Sequence, residues 1–296
     1  MRDVFSGYHP LINFIFFAFI FGFSMAFTNP VCLAIAFLTS FAYSLCLNAA
    51  DGLKYMLTFL LPVVLFASVF NPLFSHPGMT ILAYFPNGNP LTYESIIYGI
   101  GMGIMFAGFL GWFHCFNRVG TSDKFVYLFG RAIPALSLIL SMALRFVPRL
   151  KAQLKVITNA QKCIGRDVSS GNVITRAKNG IAILSILVTW SLENAIDTAD
   201  SMRSRGYGLK GRTAFSIYRF DKRDACLLAW ICACGIYIMI GAVRGKIYWQ
   251  YYPIIKGNVT GWYTWSIFIV YFMLCMTPVG IDLYEERRWR ILQSEI

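Results

Sequence analysis

The sequence predicts an all-α polytopic membrane protein, and three observations predict it. Hydrophobic residues make up 57% of the chain and charged residues only 14%, with a mean hydropathy of +0.58. Soluble domains carry nearer to about 25% charged residues. Apolar runs of near-spanning length recur, separated by turns and loops. The cations are unevenly placed: 18 of the 26 Lys and Arg lie between Arg118 and Arg223, against six acids there. Cytoplasmic loops beside membrane spans carry such an excess. The expected organisation is about six transmembrane helices plus a cytoplasmic region of long amphipathic helices. Residues 1–116 hold spans one to four, 117–221 the cytoplasmic region, and 222–296 spans five and six with a basic cytoplasmic tail.

The first span is read over 11–27. Asn29-Pro30 makes a tight turn, because proline cannot continue a helix and biases the residue before it towards extended backbone. The second span covers 31–47, a short polar loop 48–54, and the third span 55–70 with a kink expected at Pro62. Residues 71–94 carry four prolines and no Lys or Arg, so they are expected outside. The fourth span, 95–116, contains Gly99, Gly101, Gly103, Gly108 and Gly111. Small residues at such intervals either let helices approach closely in lipid or mark loose packing, and the sequence does not say which neighbour they meet. The fifth span is 225–243 and the sixth 261–280. Between them Trp249, Tyr251, Tyr252, Trp262 and Tyr263 resemble an interfacial aromatic belt. The tail from Asp282 carries Arg287, Arg288 and Arg290, which places both termini in the cytoplasm.

Two apolar runs in the basic region, 132–144 and 181–192, fall short of the roughly 20 residues a spanning helix requires. They are read as cytoplasmic or interfacial helices. In the first, Leu140, Ala143, Val147, Leu150, Leu154, Ile157, Gln161 and Ile164 form a heptad seam that continues past Pro148. Arg145 and Arg149 project from its other side, and Gly165 is a stop signal. In the second, Leu184, Val188, Leu192, Ala195, Ala199 and Met202 form an apolar stripe opposite Glu193, Asp197 and Asp200. Gly206, Gly208 and Gly211 end that helix, and Arg203 and Arg205 stand in its last turn. Arg205 lies on neither stripe. It either caps the helix through the dipole or reaches out to a partner.

Several chemistries are not expected. No G-x-x-x-x-G-K-[ST] occurs, so no nucleotide is held in a P-loop. The eight cysteines are scattered, six of them within apolar spans. His9, His76 and His114 are far apart, so neither a metal site nor a cofactor is expected. Basic loops beside spans are explained by topology before nucleic acid. Acids are scarce within the spans, which counts against the alternative reading of a self-contained secondary carrier or channel.

Over most of its length the chain resembles the transmembrane T component of energy-coupling factor transporters, the EcfT/CbiQ-like proteins. The residues that carry the resemblance are His9-Pro10, Asn29-Pro30, Thr121-Ser122-Asp123-Lys124, Leu144-Arg145-Phe146-Val147-Pro148-Arg149, Ala160-Gln161, Ser204-Arg205-Gly206-Tyr207-Gly208 and Arg212-Thr213. Their order and spacing together make it specific.

The resemblance implies a non-catalytic coupling subunit in a prokaryotic cell membrane. Its partners would be two ABC-type ATPase subunits, which hydrolyse the ATP, and a membrane-embedded S component that binds a vitamin or transition-metal ion. Two coupling helices end in Ala-Arg-Gly-like motifs in this family. By resemblance, Ser204, Arg205 and Gly206, with Arg203 beside them, dock one ATPase. The first motif departs from the pattern: Ile164, Gly165 and Arg166 follow Ala160-Gln161, with Ile164 where arginine is expected. Either Arg166 takes over from a shifted backbone or Ile164 makes an apolar dock. Arg145, Pro148 and Arg149 support the coupling helix. The seam, the stripe and the small-residue face of span four would form the platform for the S component.

Overall fold

The computed structural model describes residues 4–84, 89–132, 134–209, 218, 220–257 and 261–294. Arg212-Thr213, Gly211 and Pro86 lie outside the described residues. The chain divides into two compact units, Met1–Thr121 with Tyr218–Ile296, and Ser122–Ile217.

The first unit holds α1 (Pro10–Ala26), α2 (Pro30–Leu47), α3 (Ala49–Tyr55), a π-helical turn (Met56–Leu60) and α4 (Leu61–Phe74). A small antiparallel hairpin, β1 (Ile81–Tyr84) and β2 (Pro90–Thr92), leads into α5 (Tyr93–Val119). The second unit holds α6 (Ser122–Ala132), α7 (Pro134–Cys163) and α8 (Val173–Ser204). The chain then completes the first unit with α9 (Lys222–Val243), a second hairpin of β3 (Trp249–Gln250) and β4 (Lys256–Gly257), and α10 (Trp262–Ser294). The protein is an all-α polytopic membrane protein. Six described helical segments are long and apolar enough to cross a membrane: Pro30–Leu47, Ala49–Phe74, Tyr93–Val119, Val173–Ser204, Lys222–Val243 and Trp262–Gln293.

Six is the number read from the sequence, but the set differs. Helix α8 runs 32 residues and so joins the set, although Lys178 and Glu193 bound its apolar run close to 181–192, while α1 has only 17. The loop expected at 48–54 is helical and continuous with α4, because Asn48 donates to Asp51 and Arg118 pairs with Asp51 at 2.8 Å, anchoring the first turn of α3. Pro62 leaves one amide missing, and the π turn immediately before it absorbs that loss. Residues 71–94 are not all loop: α4 continues to Phe74 and a hairpin follows, pinned where Thr80 donates to the Glu94 carboxylate from its amide at 3.2 Å and its hydroxyl at 2.8 Å. The basic tail is the continuation of α10.

The first two helices begin alike. The His9 ring nitrogen accepts from the Leu11 amide, the Asn29 side chain accepts from the Val31 amide, and a proline stands in each first turn. Aromatic rings fill the space between α1, α2 and α5. Phe5, Phe16, Phe17 and Tyr43 pack around the buried Trp112, whose indole N–H donates to the Ala36 carbonyl at 3.1 Å. Asp282 of α10 accepts from the amides of Val4 and Phe5 and ties the start of the chain to the end of the last span.

The glycines of α5 are sites of close approach within the chain. A Cβ on Gly103 would lie 3.0 Å from the Val64 carbonyl oxygen, and one on Gly99 would lie 3.2 Å from that of Ala67. Gly111 abuts Ser40 of α2, where a Cβ would meet the hydroxyl at 2.6 Å. The small-residue face of span four is therefore used against α4 and α2, and is not an open platform for another protein. The aromatic belt is also only partly a belt. Trp262 is exposed, but Tyr251 is buried, and its hydroxyl donates to the Thr28 carbonyl at 2.9 Å.

Gly103→Leu is expected to destabilise the protein by about 1–3 kcal/mol, because the obstacle is backbone of α4 and cannot swing aside. Gly22→Leu, with nothing within 4 Å of the new Cβ, is the matched control and should melt at or slightly above wild type, because leucine is the better helix former. Thermal unfolding in detergent measures both.

Candidate docking tips

The second unit is built on α7 and α8. Ile157, Ile183 and Leu187 are buried together, with Leu150, Val168 and Trp190 packed around them. The Phe146 ring stacks on Trp190 at 6.1 Å, and the Arg149 guanidinium lies 5.6 Å from the centre of that indole.

The inward register of α7 differs from the heptad seam. Leu140, Leu150, Ile157 and Gln161 are at least partly buried as expected, but Val147 and Leu154 are exposed, and Phe146 and Gln153 take their places. The inward positions Met142, Phe146, Leu150, Gln153, Ile157 and Gln161 are spaced 4, 4, 3, 4, 4. That is close to the period of a straight helix and not the 3.5 of a coiled coil.

On α8 the stripe does not face α7. The stripe Leu184, Val188 and Leu192 is exposed, and the inward face carries Ile183, Leu187 and Trp190. This helix has two apolar faces. Periodicity identified one of them, and packing within the chain uses the other.

Both helices end in the same backbone motif. At the end of α7 the Gly165 amide donates to the Lys162 carbonyl at 3.1 Å, and the Arg166 amide to the Gln161 carbonyl at 2.9 Å. At the end of α8 the Gly206 amide donates to the Arg203 carbonyl at 3.0 Å, and the Tyr207 amide to the Met202 carbonyl at 3.0 Å. Gly165 has φ of +79° and Gly206 of +78°, a conformation in which a Cβ would be strained. These are matching Schellman caps.

Superposing the motifs residue by residue puts Gln161 with Met202, Lys162 with Arg203, Cys163 with Ser204, Ile164 with Arg205, Gly165 with Gly206, and Arg166 with Tyr207. The backbone at the first tip is not shifted. Ile164 occupies the position that Arg205 holds at the second, and Arg166 stands one residue past the turn glycine.

The arginines do not do the capping. Backbone amides close both ends, and neither the Arg203 nor the Arg205 guanidinium makes a hydrogen bond or ion pair among the described residues. Both are exposed, as is Ile164 at 64%. Ser204 folds its hydroxyl back to the Ser201 carbonyl at 2.9 Å. The predicted supports differ in role. Arg149 rests on Trp190, whereas Arg145 and Pro148 lie on the exposed side of α7.

Sequence reasoning missed the residues that hold the first tip. Asp167 pairs with Lys162 at 3.6 Å and accepts from the Ser169 amide and hydroxyl at 2.9 and 2.7 Å. Those Ser169 hydrogen bonds, with the Lys162 ammonium second, hold the Asp167 carboxyl below its usual range. Asn179 donates to the Asp167 carbonyl and Arg176 to that of Val168, fastening the tip to the first turns of α8. The second tip closes α8 at its other end. At about 1.5 Å per residue the 32 residues of α8 hold the two tips roughly 48 Å apart.

These features define a class: a multi-pass helical membrane protein that presents two capped helix tips with outward-facing side chains. Residues 4–215 match the family described as cobalt transport protein, CbiQ, and the chain belongs to that family. It is also similar to energy-coupling factor transporter transmembrane proteins EcfT. That of Lactobacillus helveticus is 41% identical over 104 residues, 35% of this chain and 38% of the relative. That of Lactococcus lactis subsp. cremoris is 39% identical over 106 residues, 36% of this chain and 40% of the relative. That of Leuconostoc gelidum is 39% identical over 116 residues, 39% and 42% respectively. The chain thus spans about two fifths of the length of these curated relatives.

Trp190→Ala should remove the surface on which Phe146 and Arg149 rest and, because Trp190 is only partly buried, lower the stability of the second unit by about 1–3 kcal/mol. Limited proteolysis within α7 and α8 would report the loss, and an unchanged cleavage rate would show that the tips do not depend on this contact.

Proposed function

We propose that this chain is the transmembrane coupling subunit of an energy-coupling factor importer. In this reading it transmits ATP-driven motion from two ABC-type ATPases to a separate S component in a prokaryotic cell membrane, for uptake of a vitamin or a transition-metal ion. The observation that carries it is the pair of matching caps at opposite ends of α8, each offering an exposed side chain that its own cap does not use. Membership in the family and the names of the similar proteins support the same reading.

The mechanics follow from the parts. Arg205 is a permanently charged, forked donor suited to a carboxylate on an ATPase surface. Ile164 offers an apolar knob at the equivalent position, and Arg166 stands beside it. The two docks are therefore chemically unlike. Closure of two ATPases would push on the tips near the two ends of α8 and turn α7 and α8 together. The exposed stripe Leu184, Val188 and Leu192 would pass that motion to the S component. The chain itself performs no chemistry, and hydrolysis belongs to its partners. Residues 117–221 are then cytoplasmic, with both termini on the same side.

Arg205→Glu should leave the protein inserted and folded but lower co-purification of the ATPases, or transport, by at least about tenfold, since losing an interface arginine costs about 2–5 kcal/mol. Arg166→Glu should have the milder effect, because it sits past the turn and not at the contact position. Quantitative pull-down from the native membrane, followed by transport in liposomes, measures both. Wild-type transport by an assembled Arg205→Glu complex would refute docking there. A chain that purifies alone and transports alone would point instead to a self-contained carrier.

A further inference from the structure

A groove of about 480 Å³ opens in the first unit between the start of the chain, α9 and α10. It is graded from one end to the other. Met273, Thr277, Gly280, Tyr284 and Arg288 line one face of α10 at helical spacing. From Met273 to Arg288 that face rises through 15 residues, about 22 Å. Trp230 of α9 and Phe272 join the apolar end, and Tyr8 and Tyr284 stand nearer the polar end.

Two guanidinium groups, Arg223 and Arg288, close the polar end against a single lining carboxylate, Glu285. Arg223 lies 3.8 Å from Glu285, too far for a hydrogen bond, and its guanidinium lies 6.0 Å from the centre of the Tyr8 ring. Arg288 has no ion pair among the described residues. Most of the ten N–H donors of the two guanidinium groups are thus available at one end of an apolar trough.

We propose that this groove binds one anionic glycerophospholipid, its phosphate between Arg223 and Arg288 and an acyl chain along Trp230, Phe272 and Met273. Three features select that occupant. One leaflet of a bilayer, headgroup included, is about 20–22 Å thick, which matches the length of the graded face. The order charged, aromatic, apolar along α10 is the order of a phospholipid from headgroup to tail. The lining carries two guanidinium groups against one carboxylate, while the nearby Asp224 and Asp282 are buried and accept from backbone amides, and that excess favours a lipid of net negative charge over a zwitterionic one. The site is independent of the coupling role, and apart from Tyr8 its residues follow residue 215, where the family match ends.

Gly280 provides the test. It lies in the groove, nothing stands within 4 Å of a Cβ placed there, and leucine is the better helix former, so Gly280→Leu should fill the trough without harming the fold. Native mass spectrometry of the full chain in mild detergent would compare phosphatidylglycerol with phosphatidylcholine of the same acyl chains. Wild type should bind one phosphatidylglycerol about 10- to 30-fold more tightly. Arg223→Gln with Arg288→Gln should abolish that preference, and Gly280→Leu should weaken binding of both lipids. If the double variant does not fold, Gly280→Leu decides. Equal affinity for the two lipids in wild type, or no effect of Gly280→Leu, would overturn the proposal. So would displacement of the lipid by equimolar glycerol phosphate, which would mark a bare anion site, or release by Gly280→Leu of a bound protein.

Discussion

The first unit depends on backbone touching backbone along α5. In lipid, apolar side chains gain nothing by leaving lipid for one another, so helices associate through contact and through satisfied polar groups. Gly99 and Gly103 bring α5 against the carbonyls of α4, and Gly108 and Gly111 bring it against α2. With α5 held so close on both sides, Trp112 can reach across to the Ala36 carbonyl and the aromatic cluster can fill around it. Leucines at those positions would separate the helices and leave that indole N–H without an acceptor.

The second unit rests on a different principle. Its helices meet over a narrow strip, with Ile157, Ile183 and Leu187 as the buried centre and Trp190 as the bearing surface for Phe146 and Arg149. Much apolar surface on α8 stays uncovered. A helix with one apolar face turned to α7 and another exposed is suited to working between bodies, and the tips near its two ends give it defined points of application.

The positions of most helices and the helix-ending glycines were legible in the sequence, because length, proline and glycine act locally. Gly165 and Gly206 could be picked out for that reason, and so could the departure of Ile164 from the arginine expected there. What escaped is what depends on a distant partner. Periodicity gives the apolar stripe at Leu184 but not the second face, Ile183, Leu187 and Trp190, that α7 takes. The glycines of α5 signalled close approach without naming α4 or α2. The tether at Asp167 escaped because it joins residues twelve apart through a side chain and a carbonyl, with no pattern to mark it.

The wide turn at Met56–Leu60 has a consequence for how this helix can change over time. A π turn is equivalent to one extra residue accommodated within an α-helix. Losing one of those five residues would restore regular winding and leave everything beyond it in nearly the same phase. Val64 and Ala67 would still face Gly103 and Gly99. A single-codon deletion is therefore absorbed within the wide turn, whereas within the regular turns of α4 it would swing the residues beyond it by about 100°.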